Sequence, residues 1–120
     1  MKRDMDLVRW ILSEIEKQPS YNDEINLERE DYPSEVVFYH IMLLHEAGLI
    51  VARDESGIND LHWVPERLTW QGHEFLEAAK DDSRWNKAKE IMARGGGFVF
   101  EVAKPLLVQL LRDQIKDLLP

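Results

Sequence analysis

Residues 39–75 read YHIMLLHEAGLIVARDESGINDLHWVPERLTWQGHEF. The stretch begins with apolar residues at helical spacing, and this pattern stops at Gly48, a residue suited to the end of a helix. Two segments of strand-like composition, residues 49–53 and 62–68, then flank a polar tip. Thr69 can cap a new helix. The sequence therefore predicts a helix, a β-hairpin and a second helix, in that order.

This order is that of the second half of a winged-helix domain. Asp4 or Asp6 can cap a helix before the quoted stretch, and Ser34 can cap the helix that enters it. Pro105 restricts where the last helix begins, or kinks it. We predict five helices, over residues 4–17, 34–47, 69–80 and 81–94 and from the glycines at 95–97 to about 119.

The segment between the first two helices, residues 20–33, reads SYNDEINLEREDYP and lacks a helical pattern. Ile25 and Leu27 alternate with polar neighbours, so we expect residues 24–28 to be extended and paired with the hairpin. The helix-turn-helix is then degenerate. Pro65, late in the second hairpin strand, marks that strand as an edge or bulged strand.

The predicted fold class is therefore α+β. We expect a winged-helix-like core with a small antiparallel sheet in residues 1–80. Residues 81–120 form a carboxy-terminal helical extension of the same single domain, since 120 residues suit one core.

Composition limits the classes of function. The chain has no Cys, which fits a reducing compartment and excludes thiolate metal sites. No apolar segment resembles a signal peptide or approaches the roughly 20 residues of a membrane span. We expect a cytoplasmic protein without a membrane partner. Its net charge of -8 is unusual for a DNA-binding domain, because binding to phosphates needs a basic face.

Catalytic and metal-binding motifs are missing from the sequence. His45-Glu46 begins like a zinc-protease helix, but Leu49 stands where the second His is required. The chain has no phosphate-binding loop and no nucleophile elbow. We therefore expect a protein that is not an enzyme and that has no metal site and no cofactor.

The outward face of the second predicted helix is acidic and aromatic. A DNA-reading face normally offers Arg, Lys, Asn or Gln to bases and phosphates. Two interpretations remain open: the rings pack under residues 20–33, or they form a protein-contact surface. The hairpin adds two arginines that lie among acidic residues. The candidate DNA or partner contacts are Glu35, Phe38, Tyr39, Met42, Arg53 and Arg67.

The last predicted helix is apolar over more than half of its circumference. A helix docked on one side needs a stripe nearer 100° wide. The excess indicates either a cradle within one chain or a homodimer contact. The candidate dimer residues are Leu107, Leu111 and Leu118.

Two resemblances accompany these patterns. His40-Ile41, Leu44 and Gly48-Leu49, followed by Leu68-Thr69 and Gly72, resemble the recognition helix, wing and closing helix of winged-helix repressors of the metal-sensing and multiple-antibiotic-resistance families. MKRDMDLVRWILSEIE, YHIMLLHEAGLI and LTWQGHEFLEAAKDDSRWNKAK are similar to an uncharacterised family of small bacterial and prophage proteins, a domain of unknown function. That resemblance implies a winged-helix-like fold and phage ancestry, and it implies no active site.

The leading functional hypothesis is a non-enzymatic winged-helix-type protein, a prophage-related transcriptional regulator that binds DNA. The alternative is a protein–protein interaction module that has kept the fold and lost DNA binding. We expect any duplex binding to be weak, because the second helix is acidic and the chain carries a charge of -8.

Overall fold

A computed structural model describes residues 1–21 and 24–120 of the chain. It divides into two compact units, residues 1–73 and residues 74–120. The described residues form five helices and one two-stranded antiparallel sheet, so the fold class is α+β as expected. The elements are α1 Met5–Glu16, α2 Ser34–Glu46, β1 Ile50–Asp54, β2 Trp63–Leu68, α3 Trp70–Ala79, α4 Asp82–Arg94 and α5 Phe100–Leu118.

The first unit has its core between α1, α2 and the hairpin, which contact one another. Both helices bury one face, because their apolar residues recur at helical spacing. Asp4 caps α1, as predicted, by accepting hydrogen bonds from the N–H groups of Asp6 and Leu7. The buried core residues of the two helices are Leu7, Val8, Ile11, Leu12, Ile15, Val37, Ile41 and Leu44.

The ends of α2 confirm one sequence prediction and overturn another. Gly48 has a φ of 75°, which lets the N–H of the next residue, Leu49, bond the carbonyl of Leu44 at 3.0 Å, so Gly48 ends the helix as predicted. The cap position at the start is occupied by Pro33, whose extended backbone precedes the first helical residue, Ser34. The prediction of Ser34 as the cap is therefore wrong.

The helix that follows the hairpin begins as the sequence predicted. The Thr69 hydroxyl oxygen accepts a hydrogen bond from the Gly72 N–H at 3.1 Å and donates one to the carbonyl of Gly48 at 2.6 Å. This side chain therefore caps α3 and ties it to the end of α2. Gly72 lies so close to the chain after α2 that a Cβ there would stand 2.0 Å from the Leu49 carbonyl oxygen.

The predicted third strand does not form. Residues 24–28 are neither strand nor helix, and the sheet contains only β1 and β2 among the described residues. Pairing slips between Val51–Arg67 and Ala52–Pro65, so β2 carries a bulge, which confirms the prediction made from Pro65. Residues 22 and 23 of the predicted 20–33 segment lie outside the described residues.

Pro65 disfavours a third strand at the outer edge of β2. Val64 pairs with Arg53 in the ladder, so the adjacent Pro65 directs its backbone nitrogen toward the outer edge of β2. That nitrogen has no hydrogen to donate, so a third strand would lose a hydrogen bond there. The two alternating apolar side chains leave water without strand pairing, because Ile25 is buried and Leu27 is half-buried.

Residues 74–120 form the second unit. Asp81 caps α4 by accepting a hydrogen bond from the Arg84 N–H, and α4 packs on α5. Trp85 and Phe75 are buried edge to face, with ring centroids 6.4 Å apart. Pro105 lies inside α5, whose start at Phe100 precedes it. The proline therefore does not set the beginning of that helix.

No helix in residues 1–21 and 24–120 is both long and apolar enough to cross a membrane.

Candidate partner-binding surface

The aromatic face of α2 packs in part against the hairpin. The ring of Phe38 stacks on His62 with centroids 4.6 Å apart and planes 25° apart. Tyr39 and Met42 are half-buried, and Glu35 is exposed. Phe38 therefore packs on the hairpin, a contact that neither interpretation of these rings named. Tyr39 and Met42 leave a partly exposed apolar face on α2, with the exposed carboxylate of Glu35 in the first turn of the helix.

The end of α2 is also fastened to the hairpin. The Ala52 N–H donates a hydrogen bond to His45 Nδ1 at 3.3 Å, and the imidazole lies 5.4 Å from the ring of Trp63. Glu46, the last helical residue, remains exposed. The outward side of α2 thus carries a carboxylate at each end.

The two hairpin arginines differ in their partners. Arg53 binds the carboxylates of Glu66 at 2.8 Å and Glu55 at 3.3 Å. These hydrogen bonds raise the pKa of Arg53 above its ordinary value, and the bond to Glu66 has the larger effect. Arg67 is exposed and donates to the Leu68 carbonyl at 3.2 Å, and no carboxylate of residues 1–21 or 24–120 pairs with it. Of the two hairpin arginines, Arg67 is therefore the one that no described carboxylate competes for with a phosphate.

The net charge lies entirely in the first unit. Residues 1–73 contain 7 Lys and Arg against 15 Asp and Glu, a net charge of -8. Residues 74–120 contain 8 of each kind and are neutral. The unit that holds α2 and the hairpin thus repels polyanions more strongly than the average over the chain indicates.

A cluster of polar side chains joins α1, α2 and the segment before α2. The Tyr32 hydroxyl donates a hydrogen bond to Asp4 Oδ2 at 2.5 Å. This bond is the largest cause, ahead of burial and the charge of Asp4, that raises the pKa of Tyr32 to about 12. The backbone N–H of Asp4 donates to His40 Nε2 at 2.8 Å. His40 is fully buried, and its Nδ1 lies 2.8 Å from the Val36 carbonyl, so its partners assign the neutral Nδ1–H tautomer.

We interpret this Asp4 cluster as structural, since its hydrogen bonds join α1 to α2 and to the segment before α2. The segment before α2 has a second attachment, the guanidinium of Arg29, which lies 5.1 Å from the ring centroids of both Trp10 and Tyr32. The sequence predicted Asp4 or Asp6 as the cap but offered no signal for Tyr32. The partners are 28 residues apart, and no local pattern links them.

Sequence reasoning missed the grooves that adjoin β2, of which two are described below. One, of about 320 Å³, is lined by residues 24–27, by residues 62–65 and by Phe38 and Ile41. The other, of about 490 Å³, is lined by Tyr21, Glu24, Arg53 and residues 64–67. The first groove lies where residues 24–27 run beside the hairpin without joining its sheet.

In the described part of the chain, no group of three or more His, Cys, Asp or Glu side chains is arranged to hold a metal ion.

The three candidate dimer residues on α5 have different surroundings. Leu107 is fully buried inside its unit and cannot contact a second chain in this structure. Leu111 is half-buried. Leu118 is 83% exposed, and the neighbouring Ile115 is 48% exposed. An apolar surface therefore remains on the last turns of α5.

Comparison with known proteins gives two matches. A family described as "Hypothetical protein (DUF2513)" matches residues 2–98, which leaves α5 outside the match. An "Uncharacterized protein" of Haemophilus influenzae (strain Rd) is 41% identical over 90 residues, covering 74% of this chain and 76% of that protein. No solved structure is significantly similar to the chain.

Proposed function

We propose that this chain, which belongs to the DUF2513 family of hypothetical proteins, is a non-enzymatic, cytoplasmic regulatory protein of winged-helix type. In this proposal its partner is another protein. The winged-helix part of this proposal is supported by the order α2, hairpin, α3. It is also supported by the Thr69 and Gly72 contacts that fasten α3 to the end of α2.

The observation that carries the choice of a protein partner is the state of Arg53. A hairpin arginine that binds DNA must offer its guanidinium to phosphates or to base edges. Here two carboxylates of the same hairpin already occupy it, at 2.8 Å and 3.3 Å. With a net charge of -8 in residues 1–73, this surface suits a neutral or cationic protein better than a polyanion.

The second candidate is a prophage-related transcriptional regulator that binds DNA. Arg67 favours it, since this exposed guanidinium makes only a hydrogen bond to a backbone carbonyl among the described residues. One such arginine supplies a small part of the counterion release that duplex binding needs. Binding through it would be weak and would fall steeply with salt.

Self-association through α5 is a further part of the proposal. Leu118 and Ile115 form an exposed apolar surface on a neutral unit, where two copies meet without the repulsion of the acidic one. A two-fold contact would bring the same residues of both chains together. Leu107 stays in the core of its own chain.

A pull-down from the organism that encodes the chain tests the proposed function, with the recovered material scored for both protein and DNA. The informative variant is Glu35→Arg/Glu46→Arg, which reverses both exposed carboxylates of α2. Glu74→Arg is the matched control, because it makes the same change at an exposed site in the second unit.

We expect one protein to be recovered with the wild type and the control and to be lost with the α2 variant. Recovery of nuclease-sensitive DNA of defined sequence, with no protein that depends on α2, would favour the second candidate.

A further inference from the structure

No strand of residues 1–21 or 24–120 pairs with the outer edge of β2, and the ladder assigns the backbone groups at that edge. The His62 carbonyl accepts from the Glu55 N–H at 2.8 Å, and the His62 N–H donates to Ser56 Oγ at 3.0 Å. His62 therefore faces the hairpin partner. Because successive residues of a strand alternate, Trp63 directs its N–H and C=O to the opposite, outer edge. Pro65 offers a carbonyl at the same edge and no N–H.

Residues 24–27 lie across a groove from this edge. No hydrogen bond joins residues 24–28 to β2 in the part of the chain that the structure describes. The groove of about 320 Å³ between them lies within the range of ligand-binding sites. Ile25 and Val64 line it beside the polar Glu24, Asn26 and His62, so its wall is mixed, with one apolar part.

An extended peptide satisfies both features of this groove. Its backbone can pair with Trp63 at the open edge, and an apolar side chain can enter between Ile25 and Val64. Addition of a strand to a sheet edge is a common mode of peptide recognition. The missing N–H of Pro65 limits the backbone pairing, so side chains must supply a large share of the affinity.

Charge selects the kind of peptide. Glu24 is exposed and lines both grooves, and the unit has a net charge of -8. The groove wall therefore attracts Lys or Arg at the peptide positions that point away from the apolar pocket.

We propose that the groove between residues 24–27 and β2 binds an extended peptide segment in which apolar residues alternate with Lys or Arg. This inference rests on the proposed protein-binding function and names the chemistry of the partner. It also places the contact at the outer edge of β2, beside Trp63. This site differs from the outward face of α2.

The test uses the full chain and an array of labelled heptapeptides in which Lys alternates with Val, Ile, Leu or Phe. A second array replaces every Lys with Glu. Fluorescence anisotropy measures affinity, and two-dimensional NMR follows the Trp63 backbone amide. We expect the Lys series to bind and to shift that amide, while the Glu series does not bind.

Two charge-reversal variants localise the contact. Glu24→Lys should weaken binding about fivefold, the effect of one surface ion pair. Glu28→Lys, which makes the same change at an exposed residue outside the groove lining, should leave the affinity unchanged. Leu27→Arg places a cation in the groove and should abolish binding, and circular dichroism checks that this variant is folded.

The groove assignment is overturned if no Lys peptide binds, if both arrays bind alike, or if Glu24→Lys and Glu28→Lys weaken binding equally. Equal weakening would mean attraction to the acidic unit as a whole. These results leave the pull-down with the Glu35→Arg/Glu46→Arg variant unaffected, so failure of the groove and failure of the proposed function are distinguishable.

Discussion

Replacing Asp4 with Ala should destabilise the first unit, because one carboxylate serves two purposes there. Its Oδ1 accepts from the N–H groups of Asp6 and Leu7 at 3.0 Å and 3.1 Å, and its Oδ2 accepts from the Tyr32 hydroxyl at 2.5 Å. The substitution leaves two helix-end N–H groups without a partner and separates the segment before α2 from α1.

The expected magnitude follows from these two contributions. Loss of an N-cap side chain costs about 1 kcal/mol of unfolding free energy. A hydrogen bond to a carboxylate contributes about 1.5–3 kcal/mol when buried, and about 1 kcal/mol here, since Asp4 and Tyr32 are both partly exposed to solvent. Asp4→Ala should therefore lower the free energy of unfolding by about 2 kcal/mol.

Urea denaturation followed by circular dichroism measures this change. Tyr32→Phe removes the hydroxyl alone and should cost about 1 kcal/mol. The double variant should cost less than the two single changes together, by a coupling energy of about 1 kcal/mol. Glu28→Ala is the control for charge, since Glu28 is exposed and caps no helix. Additive effects of the two substitutions, or a cost of Asp4→Ala no greater than that of Glu28→Ala, would refute the reasoning.

Three further predictions concern separate parts of the molecule. Optical titration should find Tyr32 ionising near pH 12, and Asp4→Asn should move its pKa down toward 10.0, since the hydrogen bond to the carboxylate is the largest cause of the shift; an unchanged value would contradict that cause. Gly72→Ala should cost at least about 3 kcal/mol in urea denaturation, because its Cβ would meet a backbone carbonyl oxygen at 2.0 Å. Gly48→Ala should cost only about 1–2 kcal/mol, since its φ is positive but nothing lies within 4 Å of the added Cβ, and equal costs would be inconsistent with this account. Leu118→Glu should give a folded monomer by light scattering if α5 pairs two chains, whereas a monomeric wild type at high concentration would exclude the dimer.

Sequence patterns predicted the elements whose cause is local. Asp4, Gly48 and Thr69 act where their residue types are expected to act, at the first and last turns of helices. Each of these signals operates over a few residues, so neighbouring chain is enough to define it. The helix, hairpin and helix of residues 39–75 are accordingly confirmed.

Two local signals competed at the sheet, and the prediction combined them wrongly. The alternation of Ile25 and Leu27 favoured a third strand, while Pro65 favoured an edge. Residues 24–28 remain unpaired, since Pro65 removes one hydrogen bond from pairing on that side and their apolar side chains can be buried without it. The groove beside β2 results from this conflict and could not be read from either signal alone.

The candidate contact residues depend on long-range partners that no local pattern specifies. Arg53 and Glu66 are 13 residues apart and meet only across the hairpin. Phe38 meets His62 only because α2 packs on the hairpin. Sequence reasoning could therefore place these residues on the right elements, but it could not decide which of them remain available to a partner.

Selection from a pool of random-sequence DNA duplexes, followed by anisotropy at near-physiological salt, tests the choice of a protein partner most directly. The wild type is compared with Glu55→Gln/Glu66→Gln, which releases Arg53 from both carboxylates. We predict that the wild type enriches no sequence and binds duplex only weakly and at low salt. The double variant should bind more tightly, with a steeper dependence on salt. Sub-micromolar, sequence-specific binding by the wild type would contradict the account.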